Sequence, residues 1–86
     1  APHVGWSRLQ QTRKSAMFDG VPDGAYAYFV HSYICPLSDE TAASATYGET
    51  FSAAVLSGKV WGCQFHPERS GPVGARILSN FLATPC

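Results

Sequence analysis

Three histidines, three cysteines and six carboxylate side chains are the groups in this chain best suited to proton transfer or nucleophilic attack. Only one imidazole has a carboxylate within two residues. It is His66, followed by Glu68, in the stretch Gln64-Phe65-His66-Pro67-Glu68-Arg69-Ser70. A His-x-Glu on an extended segment projects both side chains to one side. The carboxylate can accept from one ring nitrogen and leave the other as a general base. Pro67 fixes its own φ and stiffens the link. The same residues also suit a surface histidine or a hydrogen-bonded core histidine, so the pair alone names no reaction. Cys63 stands three residues before His66 on the same run. That spacing turns it to the opposite side, where it is expected to be a buried thiol packing as a small hydrophobe. Cys35 falls in a loop and Cys86 is terminal. No pair among His3, His31, His66 and the cysteines has Cys-x-x-Cys or His-x-x-x-His spacing, so no metal site is expected. No phosphate-cradling glycine loop or dinucleotide fingerprint occurs, and no cofactor is expected.

The elements that must position these groups are mostly strands. Residues 4–9 read as a short strand and residues 10–15 as a polar loop or helix turn. Residues 18–24 hold Asp-Gly twice and read as turns. Residues 25–34, AYAYFVHSYI, form the strongest strand, apolar on both alternating faces, as expected of a buried strand. Residues 35–40 are a loop, residues 41–47 a strand, and residues 47–49 a turn. Residues 51–56 and 60–65 are two more strands joined through Ser57-Gly58-Lys59. Ser70 or Gly71 can cap a helix with Pro72 in its first turn. Val73, Ile77, Leu78 and Phe81 lie on one face of it, and Pro85 ends it. The expected architecture is a β-meander closed by one C-terminal helix.

Length and composition narrow the function classes. Eighty-six residues allow one small domain with a limited core. The formal net charge is zero, with no basic stripe for nucleic acid and no polybasic patch for an anionic membrane. No apolar run is long enough to span a bilayer, and no signal-peptide pattern occurs. An odd number of cysteines without paired spacing argues for a reducing compartment, and a cytoplasmic location is expected.

The stretch Val60-x-Gly62-x-Gln64-Phe65-His66-Pro67-Glu68-Arg69-Ser70-Gly71, leading into a helix that contains Asn80-Phe81-Leu82, resembles the C-terminal signature of class I (triad-type) glutamine amidotransferases. Within that class it is most similar to the glutaminase subunit of imidazole glycerol phosphate synthase. Four more stretches occur in the order expected of that subunit: residues 2–6, 28–33, 45–48 and 51–55. The resemblance implies an α/β, flavodoxin-like fold, of which residues 1–86 would be the C-terminal part of a single domain. It also implies a Cys-His-Glu triad that hydrolyses glutamine and delivers ammonia to a cyclase subunit. His66 would be general base and acid, and Glu68 would orient and charge-stabilise it. His31, Ser32 and Tyr33 would line the glutamine pocket. Trp6, Tyr28 and Arg69 would face the cyclase, where aromatic residues often anchor contacts. For Trp6 and Tyr28 a plain core role stands beside this one, for His31 a hydrogen-bonded, semi-buried role, and for Arg69 a solvated one.

The chain departs from the family at one point. The family's nucleophile sits on a Gly-x-Cys-x-Gly elbow, and none of the three cysteines here has one. The oxyanion-hole glycines are also absent. The expectation is therefore a chain holding two triad members of three and inactive alone. A rival expectation is a non-catalytic module that docks on the cyclase or pairs with itself through an exposed edge, and a third is part of another class I amidotransferase.

Overall fold

The computed structural model describes residues 2–83. Cys86 and the helix-ending Pro85 lie outside them. Six strands run in the order β1 (His3–Arg8), β2 (Gln10–Gln11), β3 (Tyr26–His31), β4 (Thr41–Tyr47), β5 (Glu49–Ser57) and β6 (Val60–Cys63). One α-helix follows, α1 (Gly71–Ala83), and 3-10 turns occupy Ala16–Phe18 and Pro67–Arg69. The β-rich expectation closed by one helix therefore holds, and it fits an α/β amidotransferase segment.

The strands form two sheets. β1 pairs with β3, and β2, β4, β5 and β6 lie side by side in that order. All these pairings are antiparallel. The meander is thus confined to β4, β5 and β6. Residues 10–15, expected as loop or helix turn, contribute the two-residue β2. It forms because Leu9, 1% exposed, anchors the crossing between sheets. The Leu9 N–H donates to the Ala25 carbonyl at 2.8 Å. The chain then reaches β4, where Gln10 faces Ser44 and Gln11 faces Ala43.

The expected strand over 60–65 stops at Cys63. Phe65 leaves β6 and makes a single antiparallel bridge to Phe29 in β3. The reason is packing. Phe65 is 3% exposed, and its ring meets Phe29 edge-on at 5.8 Å. Phe29 also meets Phe51 edge-on at 5.7 Å, so one phenylalanine from each sheet and one from the crossover form the centre of the core. Ala42, Ala43, Ala45, Ala53 and Ala54 are buried in the same cluster. Alanines at these positions let large rings from the other sheet approach closely.

β3 differs from the expectation of burial on both faces. Ala27 and Phe29 are fully buried, while Tyr26 and Val30 on the other face are 48% and 40% exposed. Its partner β1 repeats the pattern, with His3 inward and Val4 and Trp6 outward. A two-stranded sheet has a single covered face here, because β2, β4, β5 and β6 pack only against one side. The helix shows the same asymmetry. Ile77 is buried, whereas Leu78 and Phe81 on the same apolar face are exposed, Phe81 resting edge-on against Trp61 at 5.3 Å. Among the described residues no helix is long and apolar enough to cross a membrane.

Candidate active site

His66 follows the crossover residue Phe65 and begins the second 3-10 turn. The His-x-Glu segment is therefore not extended, as its spacing suggested. Pro67, with its fixed φ, starts a tight turn that folds Glu68 back toward the ring. The contact is made all the same: His66 Nδ1 lies 3.2 Å from Glu68 Oε2. An ionised carboxylate only accepts, so Nδ1 carries a proton, and in the neutral ring Nε2 presents a lone pair. The imidazole side chain is 41% exposed, and among the described residues no hydrogen bond engages Nε2. Glu68 is held below the ordinary carboxylate range, first by its own backbone N–H, then by the His66 ring and the Arg69 charge. It is therefore an anion at neutral pH.

A buried hydroxyl holds this turn in place. Ser70 is 1% exposed. Its Oγ donates to the His66 carbonyl at 2.7 Å and accepts from the Tyr28 N–H at 2.9 Å. The His66 N–H in turn donates to the Tyr28 carbonyl at 2.9 Å. Three bonds thus pin the backbone of His66 to β3. Expected as a helix cap, Ser70 instead spends its hydroxyl on this clamp. Sequence reasoning missed that role because Tyr28, the partner that ties the turn to β3, is distant in the chain. Ser70→Ala leaves the Tyr28 N–H without its partner and is expected to cost about 1–3 kcal/mol, read as a lower urea midpoint.

Cys63 is exposed, not buried as its spacing suggested, because β6 is an edge strand. Enough protein still surrounds the sulfur that desolvation pushes its thiol up to about 11. It is a neutral thiol at pH 7 and a poor nucleophile.

Trp6 and Tyr28 stand opposite each other on β1 and β3, with their rings edge to face at 5.6 Å. Both project from the outward face with Val4, Val30, Arg8 and Tyr26, and the Arg8 guanidinium lies 4.9 Å from the Tyr26 ring centre. Arg69 is exposed; its backbone N–H donates to the His66 carbonyl at 3.0 Å, and its guanidinium makes no hydrogen bond or ion pair among the described residues beyond its charge on Glu68.

His31, Ser32 and Tyr33 are not brought to His66. After the Phe29–Phe65 bridge the chain runs antiparallel to β3, so His66 sits beside Tyr28 while residues 31–33 leave in the opposite direction. His31 spends both ring nitrogens within the chain. Nδ1 lies 2.9 Å from the Tyr33 carbonyl and Nε2 lies 3.0 Å from His3 Nδ1. His3 Nε2 lies 2.9 Å from Ser7 Oγ. A carbonyl only accepts, so for neutral rings His31 holds its proton on Nδ1, His3 donates from Nδ1, and Ser7 donates to His3 Nε2. Tyr33 is 88% exposed, and Ser32 lines a cleft of about 570 Å³ with His31, Ile34, Tyr47 and Glu49.

His3 is 3% exposed and stacks between Phe29 and Tyr47, with ring centres at 4.8 and 4.2 Å. Burial, and then the neighbouring His31, push its pKa below the ordinary value. The unfolded chain therefore binds a proton that the folded one refuses. That stabilises the fold above about pH 6.5, and the contribution is lost as pH falls below it. Urea midpoints are expected to drop from pH 7.5 to pH 5.5, and His3→Gln is expected to flatten that slope.

The chain matches the family described as glutamine amidotransferase class-I over residues 1–84. It is 55% identical over 82 residues to the imidazole glycerol phosphate synthase subunit HisH of Shewanella sediminis, covering 95% of this chain and 37% of that protein. It is 52% identical over 81 residues to the protein of the same name in Escherichia coli K12, covering 94% of this chain and 41% of that one. The chain thus spans about two fifths of the length of these relatives. With the match running through both sheets, the 3-10 turn of His66 and Glu68 and helix α1, the chain belongs to the class I glutamine amidotransferase family.

Proposed function

We propose that this chain is the His/Glu half of a glutaminase. The single observation that carries the reading is the His66 Nδ1 to Glu68 Oε2 contact, with the ring half-exposed and its backbone clamped. Glutamine hydrolysis needs a base that takes a thiol proton and returns it to the leaving ammonia, then activates water against the thioester. His66 Nε2 is placed to do both, with Glu68 stabilising the imidazolium. The nucleophile comes from chain outside these 86 residues, since Cys63 is a neutral thiol and no cysteine here sits on a glycine elbow. Residues 1–86 are then the C-terminal part of a single amidotransferase domain. His31, Ser32 and Tyr33, which leave β3 away from His66, would border only the far end of the glutamine pocket, His31 and Ser32 through the cleft they line.

The two relatives named above are subunits of imidazole glycerol phosphate synthase. By extension, the ammonia goes to a cyclase subunit in histidine biosynthesis, in the cytoplasm. The exposed face around Trp6 and Tyr28, with Arg69 at the end of the 3-10 turn, is the docking surface. That face also favours a second reading, a non-catalytic module that binds the cyclase. Ammonia release from glutamine separates the two. The expected result is silence from the chain alone. Adding the cyclase and a separately made nucleophile-bearing portion of a relative is expected to restore activity. Cyclase binding that is lost with Trp6→Ala, with no ammonia under any combination, would leave the docking module.

A further inference from the structure

Two free thiols border one groove away from the His66 turn. Cys35 and Cys63 are both exposed. They line the same hollow of about 190 Å³ with Ser52, Ala54, Gly62 and Gln64. Hydrogen bonds fix how they come together. Cys63 faces Ala54 in the β5–β6 ladder. The Gln64 N–H then donates to the Ala53 carbonyl at 2.8 Å, and the Ser52 N–H donates to the Cys35 carbonyl at 2.8 Å. When Phe65 leaves for β3, the Cys35 segment takes over beside β5. The Gln64 side chain ties it there, its Oε1 accepting from the Cys35 N–H at 2.9 Å. The two cysteines therefore border β5 two ladder steps apart, roughly 7 Å of strand. A disulfide needs Cα atoms within about 6.8 Å, so closure asks for a small shift. Cys35 can make it, because residues 32–40 contain no helix or strand.

We propose that Cys35 and Cys63 are a reversible dithiol–disulfide pair that reacts with low-molecular-weight disulfides. The Cys35 thiolate attacks one sulfur of the small disulfide, forming a mixed disulfide and releasing one thiol. The Cys63 thiolate then attacks the Cys35 sulfur and expels the second thiol. Two protein thiols are oxidised, and one small disulfide is reduced to two thiols. Cys63 stays protonated at neutral pH, so the first step falls to Cys35, and ring closure quickens as pH rises toward 11. Closure would staple the loop after Ser32 and Tyr33 to the strand that leads to His66. That consequence rests on the glutaminase reading; the bond itself does not.

The test treats the 86-residue chain with oxidised glutathione at pH 8.5, in native buffer and in urea, and reads mass without any activity assay. Trypsin cuts after Lys14, Lys59, Arg69 and Arg76, which separates Cys35, Cys63 and Cys86 into peptides 15–59, 60–69 and 77–86. The expected native product has lost two hydrogens and joins 15–59 to 60–69, several-fold more than any pairing with 77–86. Urea is expected to erase that preference, and Cys86→Ser to leave it intact. Persistent glutathione adducts on Cys35 without ring closure, or the same mixture of pairings in native buffer as in urea, would overturn the proposal.

Discussion

His66→Ala is expected to lower ammonia release by the complemented enzyme about 10²–10⁴-fold, the usual contribution of a positioned general base. The same change is expected to move stability by only about 0.5 kcal/mol, because the ring is 41% exposed and bonds only to Glu68. That separation matters, since a loss of activity with an unchanged urea midpoint cannot come from unfolding. Removing Glu68 tests the second half of the argument. If Glu68 acts only through the imidazole, His66→Ala combined with Glu68→Ala costs no more than His66→Ala alone. Additive losses would give Glu68 a role of its own and sink the orienting role assigned here. The rate on glutamine, measured with single and double variants under one complementation protocol, decides it.

The pair was legible in the sequence because both members lie within three consecutive residues, so local geometry joins them whatever the fold. The β4–β5 hairpin was legible for a similar reason. The short turn at Gly48 and two apolar runs define it, and Gly48 adopts a φ of 78° that favours glycine. What could not be read depends on distant partners. Phe65 looks like the next residue of β6 until Phe29 is known to wait in the other sheet. Ser70 looks like a helix cap until Tyr28 and His66 converge on its hydroxyl. His3 and His31 look like separate residues until β1 and β3 are set in register, which places them opposite each other. The outward residues Tyr26 and Val30 of β3 misled for another reason. An apolar side chain destined for a partner's surface has the same composition as one destined for the core, so alternation alone cannot separate them.

Gly74→Ala carries the largest expected effect on the fold, and ordinary helix reasoning predicts the wrong sign for it. Gly74 lies in the first turn of α1, where alanine is normally better than glycine by about 1 kcal/mol. A Cβ at this position, however, would overlap the Pro67 carbonyl oxygen, with the carbonyl carbon at 2.7 Å and Pro67 Cα at 3.0 Å. All three are backbone atoms, so no rotamer change relieves the clash. The Pro67 carbonyl is also committed, accepting from the Ser70 N–H at 3.1 Å. Relief requires α1 to move away from the 3-10 turn, which pulls on the Ser70 clamp and lifts Ile77 from the core. Overpacking of this kind costs about 3 kcal/mol or more, which outweighs the helix gain. Ala75→Gly, one residue on and exposed, provides the contrast and is expected to cost about 1 kcal/mol through propensity alone. Urea midpoints for the two variants should fall in that order, Gly74→Ala well below Ala75→Gly. Because the displaced turn bears His66 and Glu68, Gly74→Ala should also weaken complemented ammonia release without touching any group in the chemistry. A Gly74→Ala chain as stable as the parent would mean that the helix does not press against Pro67 and does not hold the turn that positions His66.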